Sequence, residues 1–138
     1  MILGVGTDIV EISRMVEAVT GAAFVGMTFT EGEIAHCNAA KNAAESFAGH
    51  FAAKESVAKA LGTGFRGFSP RDVEICHDAM GKPYVRPAVA IPIPQGAQID
   101  ISISHGRDYA VAVAVIWMVR LGDSTTHSGA SGTPPPTA

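Results

Sequence analysis

The stretch Phe47-Ala48-Gly49-His50-Phe51-Ala52-Ala53-Lys54-Glu55-Ser56-Val57-Ala58-Lys59-Ala60-Leu61-Gly62-Thr63-Gly64 reads as a long helix that runs out through glycines. At about 100° per residue, Phe47, Phe51, Ala58 and Leu61 share one face. Lys54 falls inside that apolar stripe, Glu55 on its margin, and Lys59 one turn beyond Glu55. Ionised groups held against a core are costly unless something pairs them. A carboxylate and two ammoniums beside a Gly-Thr-Gly turn suit a site that holds a metal ion and phosphates.

The rest of the chain frames that helix. At 138 residues it fits one domain, long enough for a single core. A hydrophobic content of 47% against 17% charged residues describes a folded globule. The net charge of −3 offers no basic footprint for nucleic acid, so a small anionic substrate must be met by a local cluster of basic residues. Cys37 and Cys76 have no metal-type spacing and read as separate thiols in a reducing compartment. No secretory signal is visible, and the apolar run from Tyr109 to Val119 is too short to span a bilayer. A cytoplasmic location, away from the membrane, is expected.

Working outward, Ile2 to Val10 predicts an N-terminal strand with a close backbone approach at its glycines. Ser13 is expected to cap a short helix to about Val19, stopped by Gly21. Thr30-Glu31-Gly32-Glu33 has the form of a capping box and opens another helix. Asn42 or a neighbour begins the long helix, and Gly62 ends it. Arg71 to His77 and Tyr84 to Arg86 read as partner strands around a turn at 78–83. Ala88 to Pro94, interrupted by proline, predicts no regular helix. Ile99 to Ser104 and Tyr109 to Val119 alternate at period two and form a hairpin across His105-Gly106-Arg107-Asp108. Residues 121–138, rich in Ser, Thr, Gly and Pro, predict a disordered tail after a domain at 1–120. The expected class is α+β, a single antiparallel-sheet domain with a long helix packed on it.

Asp8 on the first strand and Glu55 on the helix are carboxylates from different elements, as a hard cation such as Mg²⁺ takes alongside waters and phosphate oxygens. Lys59 reaches the same phosphates, Gly62-Thr63-Gly64 offers unhindered backbone N–H groups, and His105 presents an imidazole from a tight turn. Each has a plainer reading. Asp8 fixes a turn; Glu55 and Lys59 make an i,i+4 helix pair; the glycines merely stop a helix; His105 is a solvated turn residue. Cys37, Cys76 and His77 read as structural or surface groups.

Three blocks carry a resemblance. They are Gly4-Val5-Gly6-Thr7-Asp8-Ile9-Val10-Glu11 with Arg14, Phe47 through Gly64, and Ile101-Ser102-Ile103-Ser104-His105 with the Ala-Val strand after it. Gly81-Lys82-Pro83-Tyr84 and Phe29 to Glu33 add to them. Together, over residues 1 to about 118, they resemble the holo-acyl-carrier-protein synthase family, the small 4′-phosphopantetheinyl transferases. The resemblance implies transfer of the phosphopantetheine arm of coenzyme A to a serine of an apo acyl-carrier protein, releasing adenosine 3′,5′-bisphosphate in fatty-acid or polyketide synthesis. It implies Asp8 and Glu55 as ligands of Mg²⁺, with Mn²⁺ as a substitute, and Lys59 on the pyrophosphate. Lys54, Gly62, Thr63, Gly64, Ser104 and His105 would shape the coenzyme A pocket, and Arg14 would dock the acidic carrier. A metal-held water, Glu55 and Lys59 all stand as acceptors of the serine proton. A homotrimer with sites between subunits is implied as well.

Two departures stand out. His50 occupies a position where the family pattern usually has arginine, near the coenzyme A 3′-phosphate. Arg86 to Gln98 carries Pro87, Pro92 and Pro94 where relatives usually place a helix. They motivate the alternative of a non-catalytic module that binds carrier protein or nucleotide within a larger synthase. A two-metal phosphoester hydrolase ranks lower, because such sites usually need more carboxylates and histidines than Asp8 and Glu55 supply.

Overall fold

The structure, a computed structural model, describes residues 1–120. The expected tail at 121–138 lies outside the described residues. In chain order the elements are β1 (Ile2–Glu11), α1 (Ile12–Ala18), α2 (Ala22–Thr28), α3 (Glu31–Ala39), α4 (Ala43–Leu61), β2 (Val73–His77), β3 (Pro83–Pro87), β4 (Gln98–His105) and β5 (Tyr109–Trp117). The strands pair antiparallel in two sheets, one of order β1-β5-β4 and one of β2-β3. This is the expected α+β arrangement, with α4 across the larger sheet.

Strand parity explains how closely helix and sheet approach. Gly4, Gly6, Asp8 and Val10 share one face of β1, and their partners on β5 are Ile116, Ala114, Ala112 and Ala110. A Cβ at Gly4 would overlap the Ala60 carbonyl, and one at Gly6 the Ser56 carbonyl and Ala60 nitrogen. On the helix side the contact is made by Ala52, Ala53, Ser56 and Ala60, all small and buried. Ser56 Oγ donates to the Ala52 carbonyl (2.7 Å) and lies 3.0 Å from the Ala112 carbonyl on β5. Alanine alternation in β5 therefore serves close packing.

Two apolar clusters flank α4. One joins Val57, Phe68, Val73, Ile75, Ile101 and Ile116. The other gathers Ile12, Met15, Phe29 and Phe47 under the small helices, with the Phe29 and Phe47 rings 4.9 Å apart edge-on. The proline-containing segment after β3 forms no regular helix, as expected; it runs through turns and is pinned by Ile91, which is buried, and Ile93. No helix among the described residues is long and apolar enough to cross a membrane.

Two local expectations need correction. Ser13 is not a cap: α1 starts at Ile12 straight from the strand, with Glu11 at the cap position and no side-chain bond. The Ile12 N–H is held instead by the Asp108 carbonyl in the β4–β5 loop (2.9 Å). The helix α2 was not expected, because Gly26 lowers its intrinsic propensity; packing of Phe24 on Phe29 and Phe51 helps hold it.

Candidate active site

The close contact of β1 on α4 builds the first half of the site. Asp8 is the next inward position after Gly4 and Gly6, so the strand that lies flat on the helix delivers its carboxylate beside the outer turns of α4. Lys59 Nζ bonds Asp8 Oδ1 at 3.1 Å and the Thr7 carbonyl at 3.0 Å. The lysine thus pairs with Asp8 and not with Glu55, which revises the plainer i,i+4 reading. Among the described residues Glu55 has no ion pair. Burial pushes its carboxyl above the usual range, and the Asp8 charge pushes it further, against the pull of Lys59.

Two carboxylates and one ammonium leave a net negative spot with one carboxylate uncompensated. That donor set fits a hard divalent cation that takes few protein oxygens and keeps waters for the rest of its shell. Asp8 and Glu55 are the residues here that could hold such an ion. Lys59, 55% exposed at its side chain, forms an ion pair of the kind worth about 0–1 kcal/mol, so it is free to trade Asp8 for a phosphate oxygen.

Beyond Lys59, Gly62 closes α4 in the left-handed region (φ 75°), and Gly64 repeats that conformation (φ 62°). Both positions and Thr63 are exposed, and the Thr63 hydroxyl donates to the Gly64 carbonyl. The carbonyl end of a helix favours cations. The helix end therefore offers an anion no attraction of its own; the exposed Lys59 is the nearby cation, and the loop supplies open backbone.

The second half is a cavity of about 830 Å³ near the start of α4, within the range of small-ligand sites. His36, Lys41, Glu45, His50, His77 and His105 are among its lining residues. His105, at the end of β4, sets Nδ1 2.9 Å from Glu45 Oε1. His50 is buried; its Nδ1 lies 2.7 Å from the Ser46 carbonyl, and its buried Nε2 has no hydrogen-bond partner among the described residues. Burial lowers the imidazole to about 4, so the ring is uncharged near neutral pH. A neutral ring lacks the permanent charge that arginine would bring to a phosphate.

Of the residues singled out in the sequence, Asp8, Glu55 and Lys59 are brought together, and His50 and His105 share the cavity. Gly62, Thr63 and Gly64 lie past Lys59 and outside the cavity lining. Glu45 and Glu55 are about 15 Å apart along the axis of α4, and neither Asp8, Glu55 nor Lys59 lines the cavity. The carboxylate–lysine cluster and the cavity are thus separate within one chain.

Two placements correct the expected pocket. Lys54 is in the core, wholly buried, where Nζ donates to Glu33 Oε1 (2.7 Å) and to the Pro70 and Val73 carbonyls (both 2.8 Å). All three of its donors are used, and none faces the cavity. Ser104 points to the opposite face of the sheet, because Ile99, Ile101 and Ile103 take the helix-facing parity of β4. Arg14 is exposed on α1. His36 and His77, which the sequence did not mark out as ligand residues, stand beside His50. They come from separate elements, and no spacing signals their meeting.

Known proteins resemble this chain in sequence and in fold. A family model described as the 4′-phosphopantetheinyl transferase superfamily matches residues 4–114. A holo-[acyl-carrier-protein] synthase of Clostridium acetobutylicum is 48% identical over 121 residues, covering 84% of this chain and 98% of that protein. One from Fusobacterium nucleatum is 42% identical over 121 residues, covering 84% and 99%. Among solved structures, the Neisseria meningitidis holo-[acyl-carrier-protein] synthase superposes with a TM-score of 0.76 at 36% identity, covering 85% of this chain and 99% of that one. The Bacillus anthracis synthase, solved in complex with CoA (3′,5′-ADP), gives 0.75 at 34% identity, covering 86% and 99%.

Proposed function

The chain belongs to the 4′-phosphopantetheinyl transferase superfamily, in its holo-[acyl-carrier-protein] synthase family, and from that membership we propose that it moves the 4′-phosphopantetheine group of coenzyme A onto a serine of an apo acyl-carrier protein. In the reaction the serine oxygen bonds the pantetheine phosphorus, and the bond from that phosphorus to the bridging diphosphate oxygen breaks. Adenosine 3′,5′-bisphosphate leaves, and the serine proton is given up. The observation that carries this reading is the glycine-backed delivery of Asp8 to the uncompensated Glu55 and the exposed Lys59. The pathway served is fatty-acid or polyketide synthesis.

Asp8 and Glu55 would hold Mg²⁺, for which Mn²⁺ would substitute. When bound, the ion neutralises charge on the diphosphate and its leaving oxygen. Lys59 swings from Asp8 to the pyrophosphate and fixes its orientation. The 62–64 loop admits the phosphates without steric hindrance. His105, tied to Glu45, and the cavity it lines receive the rest of the coenzyme.

The outer face of the three-stranded sheet supports a homotrimer. Val5 (59% exposed), Ile9, Tyr109, Val111 and Val113 form an apolar surface that the described residues leave open to water. Three copies packed by these faces would set the carboxylates of one subunit beside the cavity of the next, which joins the two half-sites. Sedimentation of the full chain as a monomer would remove this part of the account. The two thiols are unpaired, in keeping with a reducing cytoplasm.

Release of adenosine 3′,5′-bisphosphate, followed by chromatography, tests the reaction type. It is expected only with apo carrier and Mg²⁺ both present, and EDTA should stop it. Release that proceeds equally without carrier would mean hydrolysis and would contradict group transfer. Arg14, exposed on α1, is placed to meet the acidic carrier. Arg14→Glu is expected to raise the KM for carrier by about tenfold, a rim-charge effect, with the KM for coenzyme A unchanged. An unchanged carrier KM would remove Arg14 from docking.

A further inference from the structure

We propose that His36, His50 and His77 form a binding site for a divalent transition-metal ion of the Zn²⁺ class, separate from the Asp8–Glu55 pair. The three histidines come from α3, α4 and β2, and one ligand nitrogen from each lies within 4.8 Å of the others. The His36 and His77 rings stack at 4.1 Å with only 5° between their planes, and the His50 ring centre is 5.3 Å and 5.2 Å from theirs. These three rings share the lining of the large cavity.

His50 carries the argument. Its ring is 97% buried, and its Nδ1–H goes to the Ser46 carbonyl. This bond fixes the tautomer that leaves a lone pair on Nε2, the arrangement by which a backbone carbonyl orients a metal-ligating histidine. Nε2 is then a buried acceptor with no partner among the described residues. Buried polar atoms are nearly always satisfied, and a cation shared with His36 and His77 would satisfy this one.

The donor set selects the class of metal. Three imidazoles with no carboxylate in the group suit Zn²⁺ or Co²⁺ and not Mg²⁺ or Ca²⁺, which want oxygen. Zinc–nitrogen bonds of about 2.0–2.1 Å in a tetrahedron bring ligand nitrogens to about 3.4 Å of one another. The closing movement falls to His36, which is exposed, and His77, which is half-buried, while His50 is held. Three protein ligands leave a fourth position for water or a phosphate oxygen. The ion would restore positive charge to a cavity whose buried histidine is neutral.

The test uses the untagged full chain, stripped of metal with a chelator and titrated with Co²⁺ alone. Saturation at one equivalent with the intense visible absorption of a low-coordinate site, displaced by Zn²⁺, is the expected result. His36→Ala and His77→Asn change residues that are not fully buried, so both variants should fold, and each should weaken binding by about 100-fold or more. Asp8→Asn and Glu55→Gln should leave the Co²⁺ spectrum as it is, so the result does not depend on the transferase reading. Failure to saturate at one equivalent, or tight binding retained in the His36→Ala/His77→Asn double variant, would overturn the site.

Discussion

Glu55→Ala, and separately Asp8→Ala, is expected to reduce phosphopantetheine transfer on the order of 10³-fold, equivalent to about 4 kcal/mol of transition-state stabilisation. The two carboxylates are the oxygen donors that β1 and α4 bring together beside Lys59, so losing either one leaves the other alone. Stability should move in the other direction for Glu55. Its folded carboxyl sits above the ordinary value, because burial and Asp8 both resist its ionisation. A carboxyl raised in the folded state binds its proton more tightly there than when unfolded. Its contribution is therefore favourable at low pH and is lost as pH rises through the folded value. Near neutral pH, Glu55→Gln removes an unfavourable charge, and urea midpoints should show it as stable as the parent or more so. A folded Glu55 variant that transfers at the parental rate would remove the metal assignment.

The second large effect is on the fold. Lys54→Met is expected to cost about 3–5 kcal/mol, because it leaves the Glu33 carboxylate buried without its cation. The Pro70 and Val73 carbonyls lose their donor in the same step. Burial lowers the lysine from its ordinary value despite the attraction of Glu33, so the intact pair is itself only a modest source of stability. Breaking it is what is severe. Glu33 also accepts from the Thr30 N–H (2.9 Å) and the Ile75 N–H (3.2 Å), so the pair ties the start of α3 to β2 and α4. Protonating the stranded carboxyl would relieve the penalty, and the variant should regain part of its stability as pH falls. Chemical denaturation across pH measures both points. A loss under about 1 kcal/mol would show that the interior accommodates an unpaired Glu33.

Much of this molecule is legible in its sequence because the signals are local. The Thr30–Glu33 capping box forms as spelled, Asn42 caps α4, and Gly62 ends it in the left-handed conformation. The period-two runs become β4 and β5. The glycine-backed strand, the carboxylates and Lys59 also follow from residue type and order. Where the reading fell short, the deciding contact was distant in sequence. Lys54 stood out as a charge in an apolar stripe, yet its role depended on Glu33, which only the fold brings near. Ser104 is instructive in another way. Parity alone puts it on the face opposite Ile103, away from the cavity that Ile103 and His105 line. The histidine cluster had no signal in spacing, since three separate elements supply its rings.

Intact-mass spectrometry of an apo acyl-carrier protein, incubated with this chain, coenzyme A and Mg²⁺, bears most directly on the transferase account. The carrier is expected to gain the mass of one phosphopantetheine arm, and the gain should vanish with EDTA and with Glu55→Ala. Carriers that stay unmodified in the presence of folded protein, saturating coenzyme A and Mg²⁺ would contradict it, and would favour a module that binds carrier or nucleotide without turnover.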